Sequence, residues 1–390
     1  MQIAAVMAVM ALAAELFRIN DPWMLLPLGL CVTVSVLWLH FQFSAVDAAV
    51  LAVCLYDVAT WILNPITGMY AARISLTGLC AYLLLREASC RAESISLFLK
   101  LSAGIAGIAL AITLASFSIW TRAVHGAGFT DVYPFRFLFR PFGYITNAWA
   151  SVWLPVLGML AMGIYRIDRW RKVFGICWVL ASVTMLLSFS RGAFVSVLCV
   201  SMATWRYRLV LVAVCVFIVG TVWMLFPTET GTTLAMKRTE SQRQSTESRF
   251  RATEQAMTVI KEHLWTGTGN GSYTLAMDRV LNEDSTRPYT SYAPNVVVQV
   301  LVEKGLTGMM LYIGLCAAVV IYWIKYRKKK TMTAIAACLL AVGVKEMTMS
   351  IMLADGSVWI LTLILLALMQ TEAESGNETV KSVRLTAWIR

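Results

Sequence analysis

Charged residues are scarce in this chain. Only 14% of its 390 residues are Asp, Glu, Lys or Arg, whereas 59% are hydrophobic. A soluble domain typically has about 25% charged and about 45–50% apolar residues. The scarcity of charge therefore excludes an ordinary soluble domain and predicts a protein that crosses a membrane several times.

Histidine and paired cysteine are also rare. The three histidines (His40, His125 and His263) lie far apart, and none of the nine cysteines forms a CxxC pair. Protein-bound zinc is usually held by clustered His and Cys side chains. All cysteines except Cys90 lie in apolar runs, where we interpret them as small packing residues. We therefore predict neither a disulfide framework nor a metal site.

Long apolar runs dominate the rest of the sequence. The N-terminus lacks the basic segment and cleavage site of a signal peptide, so we interpret its apolar run as a first membrane span. A helix needs about 20 apolar residues to cross the hydrocarbon layer, and about twelve runs approach that length. The approximate span cores are residues 2–17, 23–43, 45–63, 67–85, 96–120, 148–165, 173–189, 192–205, 208–226, 306–324, 332–350 and 356–370.

The net charge of +11 falls on alternate short loops. Arg86 and Arg91 lie between spans four and five, further bases lie in residues 166–172, and a basic run occupies residues 325–330. Because short cytoplasmic loops are rich in Lys and Arg, we predict that these loops and both termini are cytoplasmic. The charge then implies no nucleic-acid partner. The predicted outer segments are residues 121–147, the turn at residues 190–192, and residues 227–294.

These observations predict four parts. Residues 1–226 carry transmembrane helices 1–9, residues 227–294 form a large extracytoplasmic loop, residues 295–370 carry transmembrane helices 10–12, and residues 371–390 form a cytoplasmic tail. Inside the spans, ionisable residues usually face the bundle interior and pair. The residues concerned are Asp57, Arg73, Lys345 and Glu346. An Asp57–Arg73 pair is one arrangement that the adjacent spans three and four would allow, and we favour structural pairing over a substrate role.

The large loop contains a periodic segment. Its apolar stripe recurs at spacings of three and four, which indicates an amphipathic helix over the mouth of the bundle. The stripe consists of Phe250, Thr253, Met257, Ile260 and Leu264. We expect Thr246 or Ser248 to cap the start of this helix and Gly267 to end it.

Two polar motifs face outward in this topology. TGTGNGSY, residues 266–273, has a GxGxG spacing that differs from a dinucleotide fingerprint. Its glycines either bring backbone N–H groups close to an anion or permit a tight turn. SFSRGAF, residues 188–194, places Arg191 at the tip of a hairpin. An arginine there either extends to lipid headgroups or has a functional role.

Four segments together resemble the bacterial O-antigen ligase and O-antigen polymerase superfamily. They are SFSRGAF, SRFRATEQAMTVIKEHLWTGTGNGSY (residues 248–273), NVVVQVLVEKGLTG (residues 295–308) and, more loosely, RPFGYITNAWA (residues 140–150). The resemblance implies an all-α, polytopic membrane helical bundle of about twelve transmembrane helices with a large extracytoplasmic loop, similar to GT-C glycosyltransferases.

The resemblance also implies an activity. Members of the superfamily transfer a glycan from an undecaprenyl-pyrophosphate carrier to a hydroxyl group, without metal or cofactor, at the outer face of the bacterial inner membrane. A polymerase transfers the chain to the next lipid-linked repeat, and a ligase transfers it to lipid A-core. Implied partners are the lipid-linked glycan, the bilayer, a chain-length regulator and a flippase. A lipid-linked oligosaccharide transporter is a further alternative, although the halves of the chain show no internal repeat.

Pro294 separates the two transferase alternatives. Ligases commonly have a histidine before the asparagine of the segment that enters span ten, and here Pro294 precedes Asn295. Because proline has no titratable group, this position favours a polymerase, and the catalytic base stays unassigned. Glu303 is either the catalytic base or a structural partner of a neighbouring span.

The chemistry of the pyrophosphate leaving group selects arginines. The planar guanidinium fork matches phosphate oxygens and stays charged. We predict that Arg191 and Arg249 act together as the catalytic clamp on the diphosphate. The predicted substrate-binding residues are Arg140, Arg251, Asn295 and Glu303.

Overall fold

The computed structural model describes residues 2–18, 43–63, 65–89, 91–128, 139–144, 146–188, 191–204, 231–282, 293–348, 350 and 356–374. These residues form α-helices, short 3-10 helices, turns and irregular segments, so the all-α prediction is confirmed for this part of the chain. The α-helices are α1 (Gln2–Leu16), α2 (Ala45–Ala59), α3 (Pro65–Ala88), α4 (Ala92–Gly126), α5 (Thr146–Arg166), α6 (Arg171–Leu186), α7 (Arg191–Thr204), α8 (Gly231–Glu262), α9 (Tyr273–Asn282), α10 (Val296–Tyr326), α11 (Lys330–Thr348) and α12 (Ser357–Glu374).

The helices α5 and α12 form the centre of the bundle. Every residue of α12 from Ser357 to Thr371 is buried, and the helix packs against α1, α3, α5 and α11. A helix that is apolar on all faces belongs in an interior. Helix α5 is buried to a similar degree and contacts α6 and α11.

The helices α4 and α10 lie at the periphery. Both are long and apolar but only partly buried, and they expose large side chains such as Ile119 and Ile321. Four described helices are long and apolar enough to cross a membrane. They are α4, residues 148–166 of α5, α10 and α12. The chain is therefore a membrane protein.

The prediction of about twelve transmembrane helices is not confirmed. Helix α1 and residues 192–201 of α7 are apolar but short, and α6 has only 16 residues, less than the length of about 20 that spans the hydrocarbon layer. The predicted span at residues 208–226 lies outside the described residues, as does nearly all of that at residues 23–43. The full span count and the four-part division stay predictions.

The predicted basic loops meet at one end of the bundle, which we call the basic end. Arg166 at the end of α5 contacts the carboxylate of Glu372 at 3.3 Å. The ammonium group of Lys329, between α10 and α11, donates to the carbonyl of Glu372 at 2.5 Å. Arg86 at the end of α3 pairs with Glu374 at 2.7 Å. The last turn of α12 therefore joins three loops that are distant in the sequence.

Three predicted boundaries in the outer segments are wrong. Helix α4 continues to Gly126, so the loop predicted to begin at residue 121 begins later. The loop helix α8 begins at Gly231 and not near Thr246 or Ser248. Residues 232–247 contain neither Gly nor Pro, and nothing in them stops a helix. The helix also ends earlier than the predicted Gly267, at Glu262, and a separate turn follows in which the N–H of Gly267 donates to the carbonyl of His263 at 2.9 Å.

Candidate functional site

A break in α10 organises the region opposite the basic end. Gly305 has φ +63° and ψ −164°, so it divides α10 into two helical segments. In a continuous helix the N–H groups of Leu306 and Thr307 would bond to carbonyls four residues earlier. Here they donate to the carbonyls of Leu264 and Trp265, at 2.8 and 3.2 Å. The loop after α8 therefore replaces the helix's own acceptors.

The same loop also supplies the missing donors. The N–H of Thr268 donates to the carbonyl of Val302 at 2.9 Å, and the N–H of Gly269 donates to that of Glu303 at 2.9 Å. All four backbone groups released by the break are therefore paired, as buried backbone requires. We call this pairing between residues 264–269 and residues 302–307 the seam.

The seam explains two of the glycines. A Cβ at Gly267 would lie 2.4 Å from the carbonyl carbon of Glu303, and one at Gly305 would lie 2.5 Å from that of Trp265. Both residues also have positive φ values, which favour glycine. Of the two interpretations of the glycine motif, the tight turn is supported, and the N–H groups of Thr268 and Gly269 bond to α10 instead of an anion.

Glu303 sits in the seam and caps α9. Its Oε1 atom accepts from the side-chain amide of Gln299 at 3.1 Å and from the backbone N–H of Tyr273 at 3.3 Å. A carboxylate is favoured at such a helix N-terminus. Its Oε2 atom has no hydrogen-bond partner within the described part of the chain. These contacts support the structural alternative for Glu303, while its predicted role in substrate binding stays a prediction.

The neighbouring residue, Lys304, forms a buried ion pair. Its Nζ atom lies 2.5 Å from Oδ1 of Asp57 in α2 and donates to the Tyr312 hydroxyl at 2.7 Å. The Ser75 hydroxyl donates to the other Asp57 oxygen at 2.8 Å. The structure thus gives Asp57 a different partner from the Arg73 considered from sequence. The position of Lys304 inside an apolar segment could have predicted an ion pair from the sequence, because a charge in such a segment needs a partner.

This ion pair also connects the bundle to the loop. The side-chain amide of Asn270 donates to the backbone carbonyl of Asp57 at 3.3 Å, and the Tyr56 hydroxyl donates to the carbonyl of Lys304 at 2.9 Å. The glycine-containing loop is therefore fastened to α2 as well as to α10. Its position over the bundle follows from these contacts and from the seam.

The buried face of α8 differs from the predicted stripe. Ala252, Ala256, Val259 and Ile260 are buried, and the last three belong to a small core with Tyr273, Met277, Val298 and Val302. Phe250 and Met257, by contrast, are 73% and 44% exposed. The small alanine side chains allow close helix contact, whereas hydrophobic periodicity gives more weight to larger residues. Of the predicted stripe, Ile260 is buried.

The predicted site residues lie at the end opposite the basic end. Helix α6 starts at the basic end and is 16 residues long, about 24 Å, so Arg191, which begins α7, follows at the far end. Helix α8, which carries Arg249, packs near Val298 and Val302 in the first segment of α10, at the far end. Arg140 and Asn295 precede α5 and α10, which both run toward the basic end. Arg251 lies on α8, two residues after Arg249.

The local settings of these residues differ. Arg140, Arg249 and Arg251 are exposed, and Asn295 caps α10 by accepting from the N–H of Val298 at 2.9 Å. The side chain of Arg191 lies outside the described part of the structure. The backbone therefore brings Arg191 and Arg249 to one end of the bundle, and their convergence on one diphosphate stays a prediction.

The fold and this region define a helical membrane protein whose polar loop is fastened over one end of the bundle. Residues 175–313 match the family model described as O-antigen ligase. The match runs from α6 into α10 and includes Arg191, α8 and the seam. It confirms the predicted resemblance to the O-antigen ligase and polymerase superfamily and indicates membrane glycan transfer of that type. None of the curated proteins matches the chain significantly.

Proposed function

We propose that this chain polymerises undecaprenyl-pyrophosphate-linked oligosaccharide repeats into O-antigen or exopolysaccharide at the outer face of the bacterial inner membrane. The observation that carries the proposal is the family match over residues 175–313, which contains both proposed clamp arginines. Their shared end of the bundle lies opposite the basic end. Because basic loops favour the cytoplasm, the proposed site faces outward, where lipid-linked donors are available.

The proposed chemistry follows from charge development at the leaving group. An acceptor hydroxyl attacks the anomeric carbon as the bond between that carbon and the phosphate oxygen breaks. Arg191 and Arg249 stabilise the negative charge that builds on the departing diphosphate. The hydroxyl proton passes to a base or to the diphosphate itself. The reaction as proposed needs neither metal nor cofactor, so EDTA should not reduce the rate.

Pro294 supports polymerase over ligase activity. It is buried and immediately precedes the α10 cap Asn295, and it offers no proton acceptor where ligases commonly have histidine. The description of the matching family as O-antigen ligase favours the alternative, transfer to lipid A-core. The two activities differ in the acceptor that they require.

An acceptor experiment tests the proposal. Purified full-length protein in lipid vesicles receives undecaprenyl-pyrophosphate-linked repeats alone or together with lipid A-core, and the products are resolved as glycan ladders. We expect ladders with the lipid-linked repeats alone. Product that appears only with lipid A-core would identify a ligase, and transbilayer movement of the donor without any new glycosidic bond would identify a transporter.

A further inference from the structure

A cleft of about 410 Å³ opens at the basic end, far from the proposed transfer site. It lies between the end of α5, the start of α6, the start of α11 and the end of α12. Its polar lining includes Tyr165, Asp168, Arg171, Lys329, Lys330 and Glu372. The glycan-transfer proposal does not use any of these residues.

The acidic residues of the cleft do not balance its bases. The Glu372 carboxylate is already held by Arg166, at 3.3 Å, and by the Thr331 hydroxyl, at 2.8 Å. Lys329 donates to the backbone carbonyls of Glu372 and Ala373, which carry no net charge. Asp168 is then the one remaining acid in the lining, which also contains three bases, Arg171, Lys329 and Lys330.

The two exposed bases begin helices that meet at the cleft. Arg171 is the first residue of α6 and Lys330 is the first residue of α11, and neither helix has an acidic residue in its first turn. Both side chains are exposed. The cleft lining therefore includes a guanidinium and an ammonium group, both of which suit an anion.

The exposed side chains beside the cleft are those suited to the level of the lipid headgroups. Beyond Arg171, α6 exposes Val173 and Ile176, which are suited to the hydrocarbon layer. Immediately before it, Trp170 is 39% exposed, and tryptophan is enriched at the boundary between hydrocarbon and water. This pattern favours a position of the cleft bases near the phospholipid phosphates.

We propose that this cleft binds the phosphate headgroup of an anionic membrane phospholipid, with Arg171 and Lys330 as the phosphate-binding residues. A phospholipid supplies both the anion and the acyl chains that the exposed apolar face of α6 can contact. Bases near an anionic bilayer each strengthen binding about fivefold by general attraction. Bases in a specific site must therefore strengthen lipid binding more than the same number of bases elsewhere on the same surface.

Native mass spectrometry of the purified full-length protein tests this site. The protein is mixed with equal amounts of phosphatidylglycerol and phosphatidylcholine that have identical acyl chains, and retained lipids are counted. We expect a preference for phosphatidylglycerol above the roughly 25-fold that two bases would give by general attraction alone. Arg171→Gln/Lys330→Gln should abolish the preference, and Arg171→Lys/Lys330→Arg should keep most of it. The matched control is Arg169→Gln/Lys172→Gln, which removes two exposed neighbouring bases outside the cleft lining and should retain the preference.

Three results would overturn the site. Equal retention of both lipids by the unmodified protein would show that the cleft does not select an anionic headgroup. An equal loss in the control variant would mean diffuse surface attraction instead of a headgroup site. Displacement of phosphatidylglycerol by millimolar glycerol phosphate would assign the cleft to a soluble phosphate compound. Glycan ladder formation, measured separately, decides the transfer proposal and does not enter this test.

Discussion

Lys304 and Asp57 show how single residues stabilise the site. Their side chains are 0% and 1% exposed, at a distance of 2.5 Å, and Ser75 and Tyr312 complete their hydrogen bonds. Removing one partner of a buried pair leaves the other charge uncompensated, which costs about 3–5 kcal/mol. Replacing both partners by apolar residues costs much less, because no buried charge is left.

We therefore expect Lys304→Met to lower the free energy of unfolding by about 3–5 kcal/mol. Asp57→Leu/Lys304→Met should recover at least half of that loss. The measurement is denaturant unfolding of the purified protein in detergent. Lys328→Met, at an exposed base in the turn after α10, is the control and should stay within about 0.5 kcal/mol of the original protein. A double variant no more stable than Lys304→Met would contradict the pairing argument.

Arg249 is the residue at which the transfer proposal is most directly tested. Loss of one donor to a developing negative charge typically reduces turnover by about 10²–10³-fold. Arg249→Ala should reduce ladder formation by that amount while the protein stays folded and in the membrane. Arg249→Lys should recover part of the rate, because it keeps the charge and loses the planar fork.

Lys261→Ala is the matched control for Arg249, since Lys261 is also an exposed base of α8. We expect its rate to stay within about twofold of the original, because exposed substitutions away from a site are usually mild. Normal ladders from Arg249→Ala, or an equal loss from Lys261→Ala, would argue against a specific diphosphate contact.

At the scale of elements, the seam links the loop helix to the bundle. Gly305 has a conformation that is essentially restricted to glycine, and such strain in another residue costs about 1–3 kcal/mol. The Cβ of an alanine there would also collide with the carbonyl carbon of Trp265. Gly305→Ala should therefore separate residues 264–269 from α10. We expect faster hydrogen exchange in this loop and in α9, with little change in α12.

Gly314 provides the control on the same helix. A Cβ at Gly314 meets nothing within 4 Å, so Gly314→Ala should leave hydrogen exchange in the loop unchanged. It should also stabilise α10 slightly, because glycine in a helix interior is less favourable than alanine by about 0.5–1 kcal/mol. Unchanged exchange in Gly305→Ala would mean that the seam does not hold the loop in place.

The sequence predicts the helices of this protein better than it predicts the contacts between them. Apolar runs predicted most helices, because lipid and a buried core both select them. The break at Gly305 was not predicted, since its cause is the backbone of a loop about forty residues earlier in the chain, near Trp265. The buried face of α8 was misjudged for a related reason: Ala256 lies in a buried cluster with Val298 and Val302 of α10, and hydrophobic periodicity undervalues a methyl group.

For the whole molecule, the two ends of the bundle have different compositions, and this difference predicts the orientation. The basic end carries Arg86, Arg166 and Lys329 within contacts that join several helices. The opposite end carries α8, the seam and the proposed clamp. Because short loops rich in Lys and Arg stay in the cytoplasm, the two ends should be accessible from opposite sides of the membrane.

Cysteine labelling in intact cells tests this orientation. Lys328→Cys lies at the basic end and Glu254→Cys lies on α8, and both positions are exposed. We expect a membrane-impermeant maleimide to label Glu254→Cys in intact spheroplasts and Lys328→Cys only after lysis, with the unmodified protein giving the background from its own cysteines. Labelling of Lys328→Cys alone before lysis would invert the topology. The clamp arginines would then face the cytoplasm, where the outer-face reaction proposed for them cannot occur.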